Sequence, residues 1–201
     1  CLQGLHARCL SSPQGCSWEE AEGMVQSLHA ICRGASEEAA NECVRAISLL
    51  LPRTQELHGA VHPRLLETCS WIMGLLSSSL REEGTNWPPL LHIVYQTMRS
   101  ARYPTVRGGC VAFMKVAQSS GKLVLSSGHA NEAFLMYKHK QLASPSPTEL
   151  RVGQEPSLIV LLRGLVAVIR WQEDALVQEE SVMELLHPLV LDLEEGVRNF
   201  R

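Results

Sequence analysis

The chain has 201 residues, of which 45% are hydrophobic and 19% charged, and its formal net charge is −3. This composition is typical of a globular domain with an apolar core and argues against an intrinsically disordered chain. The small negative charge also argues against the strongly basic surface that nucleic-acid-binding domains usually carry.

Amphipathic helices are predicted from the N-terminal part of the chain onward. Ser17 begins the first with a Ser-x-x-Glu capping box, and Gly34 is expected to end it. Ser36 is expected to begin the second, and Pro52 to end it, because proline breaks the interior of an α-helix. A linker this short places the two helices side by side and antiparallel.

The later helices follow the same 3.6-residue apolar period, and several begin at a proline. They are expected at about 63–84, 88–98, 105–119, 130–142, 157–176 and 181–193. The apolar triplet 123–125 fits either a short extended segment or the end of a helix. Pro188 should kink the last helix, and residues 143–156 form a Pro- and Ser-rich loop.

The whole chain, 1–201, is therefore predicted to be one all-α domain of about seven to nine helices, with no convincing alternating strand pattern. Two arrangements fit the pattern. Antiparallel helix pairs can stack into an open solenoid, in which each pair buries its face against the next, or the helices can close into a bundle.

One local motif favours the stack. Pro188-Leu-Val-Leu-Asp192 is followed by an acidic, Gly-containing turn and then by Val197-Arg198, a pattern that resembles a HEAT repeat of the armadillo/HEAT superfamily. The resemblance implies a polar ladder formed by Asp192 and Arg198. Arg107 occupies a similar position in the middle of the chain, but no Asp precedes it. Because the motif stops at the chain end and the chain begins with Cys1, we expect a fragment of a longer repeat protein.

Two groups of residues raise the possibility of chemistry. His58 and His62 are four residues apart and Cys69 follows seven later, a weak zinc-ligand pattern. A polar loop between helices is the simpler interpretation, because Gly59 and Pro63 interrupt the spacing. Cys110 follows two glycines, and a cysteine in an accessible, electropositive setting could act as a nucleophile. A core thiol beside closely packed helices is the simpler interpretation.

Candidate partner-binding residues cluster near the middle of the chain. Arg99, Arg102 and Arg107, with Tyr103, form a small basic group that could contact phosphate or an acidic peptide. Trp87, just before two prolines, could anchor a partner if exposed. A solvated basic surface and a Trp packed at a helix entry are the structural alternatives.

The sequence thus predicts a non-catalytic, intracellular scaffold segment that binds partner proteins or neighbouring repeats, with no cofactor, no membrane span and no direct nucleic-acid contact. The intracellular expectation comes from seven cysteines, an odd number without a CxxC pair. Two alternatives stay open: a helical dimerisation module, and a helical enzyme using Cys110 or a His/Cys metal site.

Overall fold

The computed structural model describes residues 17–32, 36–79, 87–126, 129–139, 142–145 and 156–172. These residues form seven α-helices and one short 3-10 helix, with no β-strand among them, so the all-α prediction is confirmed. The α-helices are α1 (Trp18–Cys32), α2 (Glu37–His58), α3 (Pro63–Leu76), α4 (Trp87–Met98), α5 (Tyr103–Ser126), α6 (His129–Lys138) and α7 (Ser157–Gln172).

Side chains cap the starts of the first three helices. At α1 the capping box is complete, since the Ser17 N–H donates to Glu20 Oε2 at 2.9 Å and the Glu20 N–H donates to Ser17 Oγ at 3.2 Å. At α2, Ser36 Oγ accepts from the Ala39 N–H at 3.4 Å. At α3, His62 Nδ1 accepts from the Arg64 N–H at 3.4 Å. The predicted starts of these three helices are therefore correct.

The predicted end of the second helix is wrong, because α2 continues through Pro52 to His58. Its buried face, which includes Leu50 and Leu51 before the proline, continues past it at Thr54. The Thr54 hydroxyl donates to the Leu50 carbonyl at 2.9 Å. Packing of this face against neighbouring helices offsets the hydrogen bond that proline cannot make, which costs about 3 kcal/mol in an unsupported helix.

The helix α5 is longer than its apolar period predicts, because the segment at 123–125 forms its last turn. A kink at Ser120, with φ −149° and ψ 47°, separates this end from the rest of the helix. The helices predicted at 88–98, 130–142 and 157–176 are confirmed in type, although α6 ends at Lys138, earlier than expected. The predicted helix at 181–193, with its kink at Pro188, lies outside the described residues. In the predicted loop at 143–156, residues 143–145 carry no helix or strand, and 146–155 lie outside the described part.

The helix α5 lies at the centre of the described structure and packs against α3, α4, α6 and α7. Extensive contacts between the described helices join either consecutive helices or two helices separated by one other helix in the chain. Thus α1, α3, α5 and α7 contact one another in that order, and α2 contacts α4. A largely aliphatic core, which includes the fully buried Phe113, fills the space between them.

Close backbone approach brings α3 and α5 together. A Cβ at Gly74 would lie 2.8 Å from Ala112 Cα, a distance that real Cβ atoms do not reach. Glycine is therefore required here by packing, and its position fixes the surface that the two helices share. Within the described chain, no helix is both long and apolar enough to cross a membrane.

Candidate functional site

Two of the predicted partner-binding residues are not on the surface. Trp87 is only 2% exposed and Tyr103 only 3% exposed. Each is the first residue of a helix, α4 and α5 respectively, and its ring packs inward at that helix entry. The prediction that these two side chains contact a partner is therefore wrong, since the core already covers both rings.

The predicted basic group also divides into two parts. Arg99 lies after the end of α4, and its Nη2 is 3.5 Å from Glu132 Oε2 on α6. Both side chains of this pair are largely exposed, so it contributes little to stability. Arg102 and Arg107 instead lie at a groove across α1, α3 and α5.

This arginine groove has a volume of about 570 Å³. Each of the three helices contributes residues at helical spacing, so that one stripe of each helix faces the groove. The lining residues are Glu22, Gln26, Arg64, Glu67, Thr68, Trp71, Arg102, Pro104, Arg107, Gly108 and Val111.

Glu22 connects α1 to α3 at one side of the groove. Its Oε1 accepts from Gln26 Nε2, Arg64 Nε and Thr68 Oγ1, each at 3.2 Å. The Glu22 side chain is only 12% exposed, whereas that of Arg64 is largely exposed. A carboxylate removed from water needs such partners, so the main role of Glu22 is to hold the two helices together.

Trp71 supplies the large apolar surface of the groove. It lies on α3 outside the buried stripe of that helix and is 44% exposed. Glu67 lies one turn before it and rests its stem on α5, since a Cβ at Gly108 would be 3.2 Å from Glu67 Cγ. Arg102 is exposed and Arg107 is half-buried, so an indole and two guanidinium groups are presented at one site.

The three cysteines whose side chains are described offer no comparable site for nucleophilic chemistry. Cys43, Cys69 and Cys110 are free thiols and all three are buried. Burial raises the pKa of the Cys110 thiol from its usual 9.0 to about 12, although the positive charge of Arg107 partly offsets the effect. Burial, and then the negative charge of Glu22, raise the pKa of the Cys69 thiol further. Neither thiol therefore forms a thiolate near neutral pH.

The weak zinc pattern receives no support from the placement of its members. Cys69 is fully buried in α3, while His62 caps that helix and stacks on Trp18 with ring centroids 3.8 Å apart. The side chain of His58 lies outside the described part of the structure. Among the side chains that are described, no group of three or more His, Cys, Asp or Glu could hold a metal ion.

A second groove of about 530 Å³ lies between α2 and α4. It is bordered by Leu51, Pro52, Pro88, Pro89 and Ile93, together with polar residues, and none of its described lining residues is Asp, Glu, Lys or Arg. The proposed ladder residues Asp192 and Arg198 lie outside the described residues.

Sequence reasoning found Arg102 and Arg107 but missed Glu22, Arg64 and Trp71. The sequence does contain a signal that Trp71 is exposed. Cys69, Ile72 and Met73 are buried on one stripe of the helix, and Trp71 lies off that stripe. The pairing of Arg64 with Glu22 joins residues 42 apart in sequence. Neither residue could be assigned to a shared site before the packing of α1 on α3 was known.

No protein family, curated protein or solved structure matches this chain.

Proposed function

We propose that this chain is a non-catalytic scaffold segment that binds partner proteins through the arginine groove. The observation that carries the proposal is the exposed Trp71 beside Arg102 and Arg107 on a surface shared by three helices. Tryptophan and arginine are the residue types that most often dominate the energy of protein–protein interfaces. The groove therefore has the chemistry of a binding hot spot.

The proposal includes an open stack of helix pairs of the armadillo/HEAT type. Contacts limited to near neighbours in the chain support this arrangement, because each unit of a solenoid packs mainly on the next. In such a stack, α1, α3, α5 and α7 would form one layer, and α2, α4 and α6 the other. The arginine groove would then lie on the outer surface of the first layer, where an extended partner can reach several helices.

Affinity capture from a cell lysate tests the binding function. The wild-type chain would be compared with a groove variant carrying Trp71→Ala and Arg102→Glu, and with a control variant carrying Leu135→Ala and Lys138→Glu. The control makes the same type of changes on α6, where Leu135 is 48% exposed and Lys138 is exposed. We expect the groove variant alone to lose specific partners, and equal capture by all three proteins would contradict the proposal.

A second candidate function is self-association. Leu135 on α6 and Ile159 on α7 are large, exposed apolar residues on two helices that contact each other, and such residues are favoured at oligomer interfaces. Analytical ultracentrifugation of the wild-type chain and of a Leu135→Ser/Ile159→Ser variant distinguishes this role. A concentration-dependent dimer that the variant abolishes would favour the assembly module.

A further inference from the structure

We infer that the outer face of α7 is covered by the C-terminal segment 181–193 of the same chain, which packs on it as an antiparallel helix. The outer face consists of Leu158, Ile159, Leu162, Val166 and Ile169. The segment itself lies outside the described residues. The contact does not involve the arginine groove, so it concerns a second surface of the chain and holds whether or not partners bind at the first.

The helix α7 is apolar on more sides than the one it buries. The helices that it contacts most are α5 and α6. Its fully buried apolar residues are Val160, Leu161, Leu165 and Val168. Its only charged residues are Arg163 and Arg170, and both are exposed. A helix that is apolar on nearly all sides is normally buried on nearly all sides, so we expect an element that covers the rest of α7.

The outer face is the apolar side of α7 that is incompletely covered. Four of its residues are spaced by four, four and three positions, which places them on one stripe of the helix. All four are half-buried, and Ile159, which borders the stripe, is 44% exposed. From residue 158 to residue 169 the stripe is about 17 Å long, at roughly 1.5 Å per residue. Apolar surface of this length remains for another element to bury.

The packing order of the helices indicates which element covers this face. Every two consecutive α-helices of the described structure contact each other, so the next helix in the chain is expected to contact α7. The apolar period predicts that helix at 181–193. Residues 173–180 separate it from Gln172, the last residue of α7, and connections of up to about eight residues commonly join antiparallel helices.

The segment 181–193 has an apolar stripe of matching length. The apolar residues at helical spacing are Val182, Leu185, Leu186, Leu189 and Leu193. A helix of this length spans about 20 Å, close to the length of the outer face. Pro188 lies off the stripe, and α2 shows that a helix of this chain can continue through a proline. The two stripes can therefore cover each other over most of their lengths.

Charge favours the chain's own segment over a second copy of α7. Residues 173–195 contain eight Asp or Glu residues and no Lys or Arg. The helix α7 contains no Asp or Glu, and its Arg170 is exposed in the last turn, where the acidic part of the chain begins. Opposite charges on packed elements favour association and fix its register. The α7 helix of a second copy offers no carboxylate to Arg170, whereas the C-terminal segment does.

Photo-crosslinking within the whole chain tests the contact. p-Benzoylphenylalanine replaces Ile159, or Leu49 on α2 as the control, because the two side chains are 44% and 45% exposed. Each variant is mixed with isotope-labelled wild-type chain, irradiated and digested with trypsin. We expect position 159 to crosslink to the tryptic peptide 171–198 of its own unlabelled chain, within residues 186–193. The antiparallel direction brings that end of the segment to the start of α7.

Two substitutions with the same chemical change locate the contact. Leu189→Asp introduces a charge on the stripe that faces α7, whereas Leu191→Asp introduces it two residues later, on the opposite side of the predicted helix. We expect Leu189→Asp to abolish the crosslink from position 159 and Leu191→Asp to retain it. Thermal melts monitored by circular dichroism verify that both variants fold.

Several outcomes would overturn the inference. They are no crosslink from position 159 to peptide 171–198, an equal crosslink from position 49, equal effects of Leu189→Asp and Leu191→Asp, or a crosslink to the isotope-labelled chain. The last result would show that a second copy covers the outer face, as self-association requires. Lysate capture reports on the arginine groove, so failure of the scaffold proposal is distinguishable from failure of this contact.

Discussion

At the scale of single residues, the Glu22 carboxylate stabilises one side of the groove by connecting α1 to α3. Glu22 has one oxygen that accepts three hydrogen bonds, two of them from α3. Trp71, which also lines the groove, is 44% exposed and offers its ring to solvent. The same surface therefore contains residues suited to stability and residues suited to binding, and substitutions should separate the two.

Replacing Glu22 by alanine should lower the free energy of unfolding by about 1 to 2 kcal/mol, because the part-buried Thr68 hydroxyl on α3 loses its acceptor. Glu42 is the matched control, since it pairs with Arg45 at 3.3 Å but both side chains are largely exposed. Glu42→Ala should cost less than about 0.5 kcal/mol. Urea unfolding measures both values, and equal losses would show that Glu22 does not connect the helices.

The buried thiol of Cys110 predicts a loss of stability at alkaline pH. Its pKa is raised to about 12 in the folded chain from a usual 9.0. Its contribution is fully present below pH 9 and is lost as pH rises towards 12, because the unfolded chain releases a proton that the folded chain retains. Cys110→Ala should remove up to about 1.4 kcal/mol per pH unit from this slope.

Urea unfolding between pH 8 and pH 10.5 is the measurement for this effect. Val106→Ala provides the control, since Val106 is equally buried in α5 and carries no titrating group. It should lower stability by a similar amount at every pH. If the slope of Cys110→Ala matches that of the wild type, the thiol does not remain protonated in the folded chain.

At the scale of helices, the apolar period predicted most elements, because each helix buries one stripe of side chains. The expected helix end at Pro52 is wrong, because contacts with other helices override the local signal there, whereas at 123–125 the structure selects the end of a helix over an extended segment. A proline ends a helix only when the residues after it gain no packing against neighbouring helices. The buried side chain of Thr54 shows that α2 gains packing past Pro52.

Glycines within the helices provide a sharper test of packing. Gly74 faces the backbone of α5 with no room for a Cβ, whereas Gly23 on α1 has nothing within 4 Å of one. Gly74→Ala should therefore destabilise the chain by about 1 to 3 kcal/mol. Gly23→Ala should stabilise it by about 0.5 to 1 kcal/mol, since alanine favours the helix.

Thermal or urea unfolding of the two alanine variants shows whether close packing or helix propensity determines the effect of each substitution. If both substitutions stabilise the chain, helix propensity decides the outcome and the close approach of α3 to α5 is wrong. The contact could not be predicted from the sequence, because a glycine in a helix looks the same whether a neighbouring helix or solvent faces it.

At the scale of the whole molecule, the sequence predicted the fold class but not the position of the candidate site. Arg102 and Arg107 were identified as a basic group, yet Arg64 and Trp71 join them only through the packing of α3 against α1 and α5. Trp87 was chosen for its local context, next to two prolines, and is buried for a tertiary reason. The position of a surface site formed by several helices depends on how those helices pack against one another.

The stacked arrangement predicts a long distance between the first and last described helices. Three steps of roughly 8 to 10 Å, from α1 to α3 to α5 to α7, place their axes about 24 to 30 Å apart. Spin labels at Ser27 and Arg163, both exposed, allow this distance to be measured by double electron–electron resonance. A closed bundle would bring the two helices into contact and give a much shorter distance.

The most direct test of the central claim, that partners bind at the arginine groove, is site-specific photo-crosslinking. Trp71, Leu49 and Leu135 would be replaced one at a time by p-benzoylphenylalanine. Their side chains are exposed to nearly the same extent, at 44%, 45% and 48%, but only Trp71 lines the arginine groove. We predict that the captured partner crosslinks at position 71 and not at the other two. Equal crosslinking at all three positions, or crosslinking only at 49 or 135, would contradict the account.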